Sequence, residues 1–190
     1  MSIDDIIAVA GGTKSNIYRH FGGKEGLFLA AMQQHIGDVS RPLDQFPLNR
    51  LSLAEGLAVL GMAMSADMVT QDGMDFRRLV SAEAKRFPEL GRQWFRLGPE
   101  GTLKVVAEFI EAQKRAGAVR ADVEPLLAAR LFTGMLTQRA LLQTLYTPND
   151  LSTAAEIEQL VAAAVEVFAR SFGAARSSRL EEASHAHSSR

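Results

Sequence analysis

The sequence predicts an all-α protein, with a helix-turn-helix unit at its start and a larger helical bundle after it. Three observations carry this expectation. Apolar residues recur at three- and four-residue spacing through almost every long segment, which is the period of a helix. Ser, Thr or Pro precedes most of these runs and Gly or Pro follows them, the punctuation that starts and stops helices. No segment alternates like a half-buried strand, and no internal repeat is present.

Each element has a local reason. Ser2 with Asp5 is an N-cap arrangement, and Ile3, Ile6, Ile7 and Ala10 share one face of the helix that follows. Gly11 and Gly12 end it, because Gly tolerates the backbone of a tight exit. Thr13 caps the next helix, where Ile17 and Phe21 point inward four residues apart. A third helix is expected over about residues 24–36, with Leu27, Phe28, Ala31 and Met32 inward. The two prolines of Arg41-Pro42-Leu43-Asp44-Gln45-Phe46-Pro47 make a break. Ser52-Leu53-Ala54-Glu55 matches a capping box for a helix to about residue 70. Asp72-Gly73 reads as a turn before a helix over about 74–86, which Pro88 stops. A short helix over about 89–97 precedes Gly98-Pro99, and the next runs from Pro99 to about 116 with Gly117 at its end. Two long helices follow, about 124–146 and 153–172, separated by Pro148-Asn149-Asp150. Beyond Gly173 the Ser-, Arg-, Glu- and His-rich tail has too little apolar content to order itself. The expected units are therefore 1–40, 41–173 and a disordered tail at 174–190.

Composition narrows the function. Apolar residues make up 47% and charged residues 23% of the 190, enough for an ordinary core. The absence of cysteine excludes disulfides, Cys-based zinc sites and thiol catalysis. A net charge of −1 means that any nucleic-acid contact comes from a local patch. No apolar run reaches the roughly 18 residues of a membrane span and no signal-peptide pattern opens the chain, so a cytoplasmic location without membrane contact is expected.

Such a patch exists. From Thr13 to Lys24 the chain carries Lys14, Arg19, His20 and Lys24 with no acidic residue, on the second helix of the helix-turn-helix. Short basic clusters are mostly solvated helix faces, but this one sits on the element that docks in a major groove. Thr13, Lys14, Ser15 and Asn16 would approach base edges or the flanking phosphates. Lys suits guanine edges and Asn adenine edges.

The run Ile17-Tyr18-Arg19-His20-Phe21-Gly22-Gly23-Lys24-Glu25-Gly26-Leu27-Phe28 resembles the TetR family of transcriptional regulators, whose motif ends in Tyr-x-x-Phe, Gly-x-Lys-Glu-x-Leu-Phe. The resemblance covers roughly the first 40 residues. It implies that Tyr18, His20 and Lys24 grip phosphates and set the register. The sequence departs from the pattern at Gly12, where the family carries an apolar residue, commonly Val. The family also has a helix before this motif, so the resemblance implies a DNA-binding unit lacking its first helix. A second block, Arg78-Leu79-Val80-Ser81-Ala82-Glu83-Ala84-Lys85-Arg86-Phe87-Pro88-Glu89-Leu90, resembles the regulatory domain of AefR-like members. It implies a domain that dimerises and senses a ligand.

On that reading Met62, Phe76, Trp94, Phe109 and Phe132, with Glu83 and Arg139 to orient a ligand, line a pocket for an apolar or amphipathic effector. Helically spaced Met and aromatic residues are more often plain core. The last two helices carry long apolar stripes, from which Leu131, Met135, Leu142, Leu145, Leu160, Ala164 and Phe168 are expected at a homodimer interface. Such stripes could also close a monomer's core.

Enzymatic readings find little. Glu182, His185 and His187 have a metal-like spacing but sit in the tail without partner carboxylates, and Gly22-Gly23-Lys24-Glu25 lacks the rest of a phosphate loop. No catalytic residue, metal or cofactor is expected. The sequence reading is thus a ligand-responsive TetR-type repressor that binds a double-stranded operator as a dimer. The rival is a dimerising ligand-binding module that has lost DNA binding through N-terminal truncation.

Overall fold

The computed structural model describes residues 2–40, 46–147 and 149–174. The expected break at 41–45, Pro148, and the tail from 175 with its Glu182, His185 and His187 lie outside the described residues. Among the described residues the chain forms α1 (Ile3–Ala10), α2 (Lys14–Phe21), α3 (Lys24–Ser40), a 3-10 turn (Leu48–Arg50), α4 (Leu53–Met68), α5 (Gln71–Glu83), α6 (Pro88–Leu97), α7 (Pro99–Arg115), α8 (Pro125–Tyr146) and α9 (Ala154–Phe172). The fold is all-α. No single helix among the described residues is long and apolar enough to cross a membrane.

Side-chain caps set many of the starts. Ser2 and Asp5 exchange hydrogen bonds at the head of α1, Ser52 and Glu55 at the head of α4, and Thr153 and Glu156 at the head of α9. Each pair satisfies donors that the first turn cannot. Glu124 does the same for α8, accepting from the Leu126 and Leu127 N–H groups at 2.9 and 2.6 Å.

Two expectations are corrected around α5. Asp72-Gly73 is not a turn but part of the helix's first turn, capped by Thr70, whose Oγ1 accepts from the Gly73 N–H at 3.0 Å. Gly is needed there for packing, since a Cβ would lie 2.1 Å from the Asp67 carbonyl oxygen. Pro88 does not stop α5, which ends at Glu83; it opens α6, at a position whose N–H would be unpaired in any case.

The main core lies between α4, α7, α8 and α9. Leu57, Leu60, Ile110, Phe132, Val161 and Phe168 are buried there, and Phe132 meets Phe168 edge to face at 5.8 Å. Phe109 lies flat on α4 at Gly56, where a Cβ would stand 2.1 Å from its ring. A second, smaller cluster joins α3 to the bundle. Phe28, Met32 and Leu90 are buried in it, with Leu29, Ile36, Phe76, Phe87 and Trp94 packed around them. At roughly 1.5–3 kcal/mol for each large side chain buried, this seam is what holds the helix-turn-helix on the bundle.

Candidate nucleic-acid interface

The geometry of α2 follows from its two ends. Thr13 Oγ1 accepts from the Asn16 N–H at 3.3 Å, and Gly22 leaves the helix in the left-handed conformation at φ 72°. Gly23 continues at φ 130°, so two residues suffice to turn the chain into α3. The end of α2 then rests on α3 at Gly26, where a Cβ would lie 1.7 Å from the Phe21 carbonyl oxygen. A side chain at position 26 would drive the helices apart.

None of α2 is fully buried. Ile17 is its half-buried anchor, while Lys14, Ser15, Asn16, Tyr18, Arg19 and His20 are exposed, as is the cap Thr13. Arg19 Nη2 donates to Asn16 Oδ1 at 3.1 Å and lies 3.2 Å from His20 Nε2, so guanidinium, amide and imidazole form one outward cluster. Lys14 reaches back to Asp4 of α1 at 2.8 Å; hydrogen bonding to that carboxylate raises the lysine's pKa. Both groups are well exposed, so the pair is weak and a phosphate can displace the carboxylate. Hydroxyls, an amide and a guanidinium on one narrow helix are the donor and acceptor set for phosphates and base edges.

Lys24 is placed differently from its neighbours on the list. Its Nζ bonds Glu83 Oε1 at 2.9 Å, both side chains being about one-tenth exposed (10% and 11%). It also stands over the Phe28 and Phe87 rings, at 5.1 and 5.5 Å from their centroids. The lysine hydrogen bond holds the Glu83 carboxyl below its ordinary range. The pair therefore stabilises the fold above the unfolded carboxylate's pKa, and that contribution is lost as pH falls through the depressed native value.

The residues expected to line a ligand pocket fall in separate places. Phe109 and Phe132 belong to the main core, Phe76 and Trp94 flank the α3 seam, and Glu83 is joined to Lys24. Met62 and Arg139 are exposed. Two open hollows line the surface: about 790 Å³ beside Asp4, Lys14, Tyr18, Lys24 and Phe87, and about 470 Å³ between α7 and the start of α8. None of the expected pocket residues lines either one. The described structure does not gather them round one cavity.

The expected interface residues divide in two. Leu131, Met135, Leu142 and Leu145 on α8 and Leu160 on α9 are exposed. Ala164 and Phe168 are corrected: they face inward with Ile157 and Val161, and Phe168 is 0% exposed. Helix α9 is apolar on two faces, and the stripe read from the sequence is the one that packs on α4 and α8. Its outward face carries Leu160, Ala163 and Val167, at spacings of three and four. Val167 and Leu127 were not in the expected set, although the same periodicity contains them.

Comparison with known proteins places this geometry. Residues 1–31 match the family model for bacterial regulatory proteins of the tetR family. Residues 55–174 match the model for the C-terminal domain of AefR-like transcriptional repressors. A TetR-family transcriptional regulator from Mesorhizobium loti MAFF303099 is 29% identical over 91% of this chain and 87% of its own, with a TM-score of 0.74. The flavonoid-responsive regulator FrrA is 27% identical over 93% and 88%, with a TM-score of 0.71. A TetR regulator from Agrobacterium tumefaciens, at 22% identity over 92% and 85%, shares the fold with a TM-score of 0.75. No curated protein sequence gives a significant match. Matching both the N-terminal model and the regulatory-domain model, with an exposed polar and basic second helix, does not favour the rival without DNA binding. The chain belongs to the TetR family of bacterial transcriptional regulators, with an AefR-like C-terminal domain, and is a DNA-binding regulator.

Proposed function

We propose that the protein is a homodimeric, ligand-responsive repressor that reads a double-stranded operator with α2 of each subunit. The observation that carries this reading is the exposed Asn16–Arg19–His20 cluster on a helix anchored only by its opposite face. Thr13, Lys14, Ser15, Asn16 and Arg19 make the DNA contacts, with Tyr18 and His20 on the flanking phosphates. Residues 1–40 form the DNA-contacting unit and 41–173 the regulatory one. The protein acts by binding rather than by catalysis, in the cytoplasm, where the operator is.

The second subunit docks on the outward faces of α8 and α9. An apolar stripe of that length is more than a monomer normally leaves uncovered. The effector is an apolar or amphipathic small molecule taken up by the regulatory unit; the response of the 27% identical FrrA to flavonoids supports that class. Effector binding shifts the dimer toward a form whose α2 helices no longer fit the operator.

Fluorescence anisotropy on an operator recovered by selection tests the reading. Arg19→Ala and Asn16→Ala should each weaken binding roughly 5- to 150-fold, the worth of about 1–3 kcal/mol per specific contact. Amphipathic aromatic compounds added to the wild-type complex should lower the signal. Full affinity in both variants would refute α2 as the reading helix, and indifference to every compound would refute effector release.

A further inference from the structure

We propose that Glu83 is a positioning residue for DNA binding, which acts through Lys24 to fix the pitch of α2 against the regulatory bundle. The inference rests on α2 being the reading helix of a dimer, and it assigns the link that sets how far apart the two copies stand.

Lys24 is the first residue of α3, and Glu83 the last of α5. A buried ammonium needs a partner, and here it has one carboxylate at 2.9 Å and two aromatic faces. Phe28 comes from α3 itself, and Phe87 from the N-cap of α6. The Glu83 backbone carbonyl accepts from the Arg86 and Phe87 N–H groups at 2.9 and 2.8 Å, so its carboxylate stands on the corner where α5 gives way to α6. The cation of the DNA-contacting unit is therefore boxed in by a corner of the regulatory unit.

The path onward to α2 is short and stiff. Only Gly22 and Gly23 separate Phe21 from Lys24, and the Tyr18 ring lies 3.4 Å from where a Gly23 Cβ would be. The bare backbone at Gly26 seats the end of α2 directly on α3. A rotation of the α5–α6 corner thus reaches α2 as a rigid-body tilt. In a dimer, two such tilts change the distance between the reading helices, which a pair of half-sites about one DNA turn apart does not tolerate.

The variants are Glu83→Gln, Lys24→Met and the double substitution, measured as full-length dimers confirmed by sedimentation. Targets are the selected operator and versions with one or two base pairs added between half-sites. Each single variant should lose about tenfold on the native spacing, and the double no more than either alone. Both should blur spacing discrimination from tenfold or more to about threefold or less, a readout that mere loss of stability would not move. Neither should change the dependence of affinity on salt. Arg19→Ala runs alongside. If Arg19→Ala weakens binding while Glu83→Gln keeps full affinity and spacing discrimination, positioning is overturned and the reading helix stands. If Arg19→Ala binds as wild type, both fall. If Lys24→Met lowers the log–log salt slope by about 0.9, one phosphate contact, while Glu83→Gln is harmless, Lys24 is a DNA ligand and the proposal is overturned.

Discussion

Replacing Leu131 with Asp should leave the chain folded but monomeric, with operator affinity reduced at least about a hundredfold. Leu131 is 50% exposed at the centre of the α8 stripe, between Leu127 and Met135 on one side and Leu142 and Leu145 on the other. In a two-fold interface each substitution appears twice, so the variant brings two carboxylates into one apolar seam. Desolvating an unpaired charge costs several kcal/mol, enough to dissociate a dimer of ordinary affinity. The monomer then binds one half-site at a time and forfeits avidity of about 10²–10⁴. Sedimentation velocity at micromolar concentration, with anisotropy on the operator, checks both halves. A Leu131→Asp dimer of undiminished DNA affinity would place the interface elsewhere.

Phe168→Ala should act through folding instead. Phe168 is 0% exposed, set edge to face on Phe132 at 5.8 Å and against Phe172 at 4.8 Å. Truncating a fully buried Phe costs about 3–5 kcal/mol, from lost transfer energy and an incompletely collapsed cavity. Total stabilities are typically about 5–15 kcal/mol, so the variant should unfold at much lower denaturant. Chemical denaturation monitored by helical signal, at matched protein concentration, measures it. A loss below about 1 kcal/mol together with a shift toward monomer would put Phe168 at the interface and not in the core.

These two residues mark what the sequence makes legible. Caps and glycine exits are local chemistry, so α1, α2 and α4 start at their expected residues. The start of α5 is not local: the fit of Gly73 depends on the Asp67 carbonyl brought beside it by the end of α4. Helix α9 shows the limit of periodicity. Both its faces are apolar, and spacing alone does not say which meets the core. The outward polar helix α2 was legible because exposure there needs no partner. Lys24 was not, because its carboxylate lies 59 residues away and only packing of α3 on the α5–α6 corner unites them.

The central claim is that two copies of α2, held at a set distance, read one operator. Selection of bound duplexes from a random library by the intact protein tests it most directly. The account predicts enrichment of an inverted repeat whose half-site centres lie about 34 Å, one helical turn, or a multiple of it apart. It also predicts that Asn16→Ala relaxes the preferred base at the same position in both halves. Enrichment of no site, or of a single unrepeated element that Asn16→Ala leaves unchanged, would contradict it.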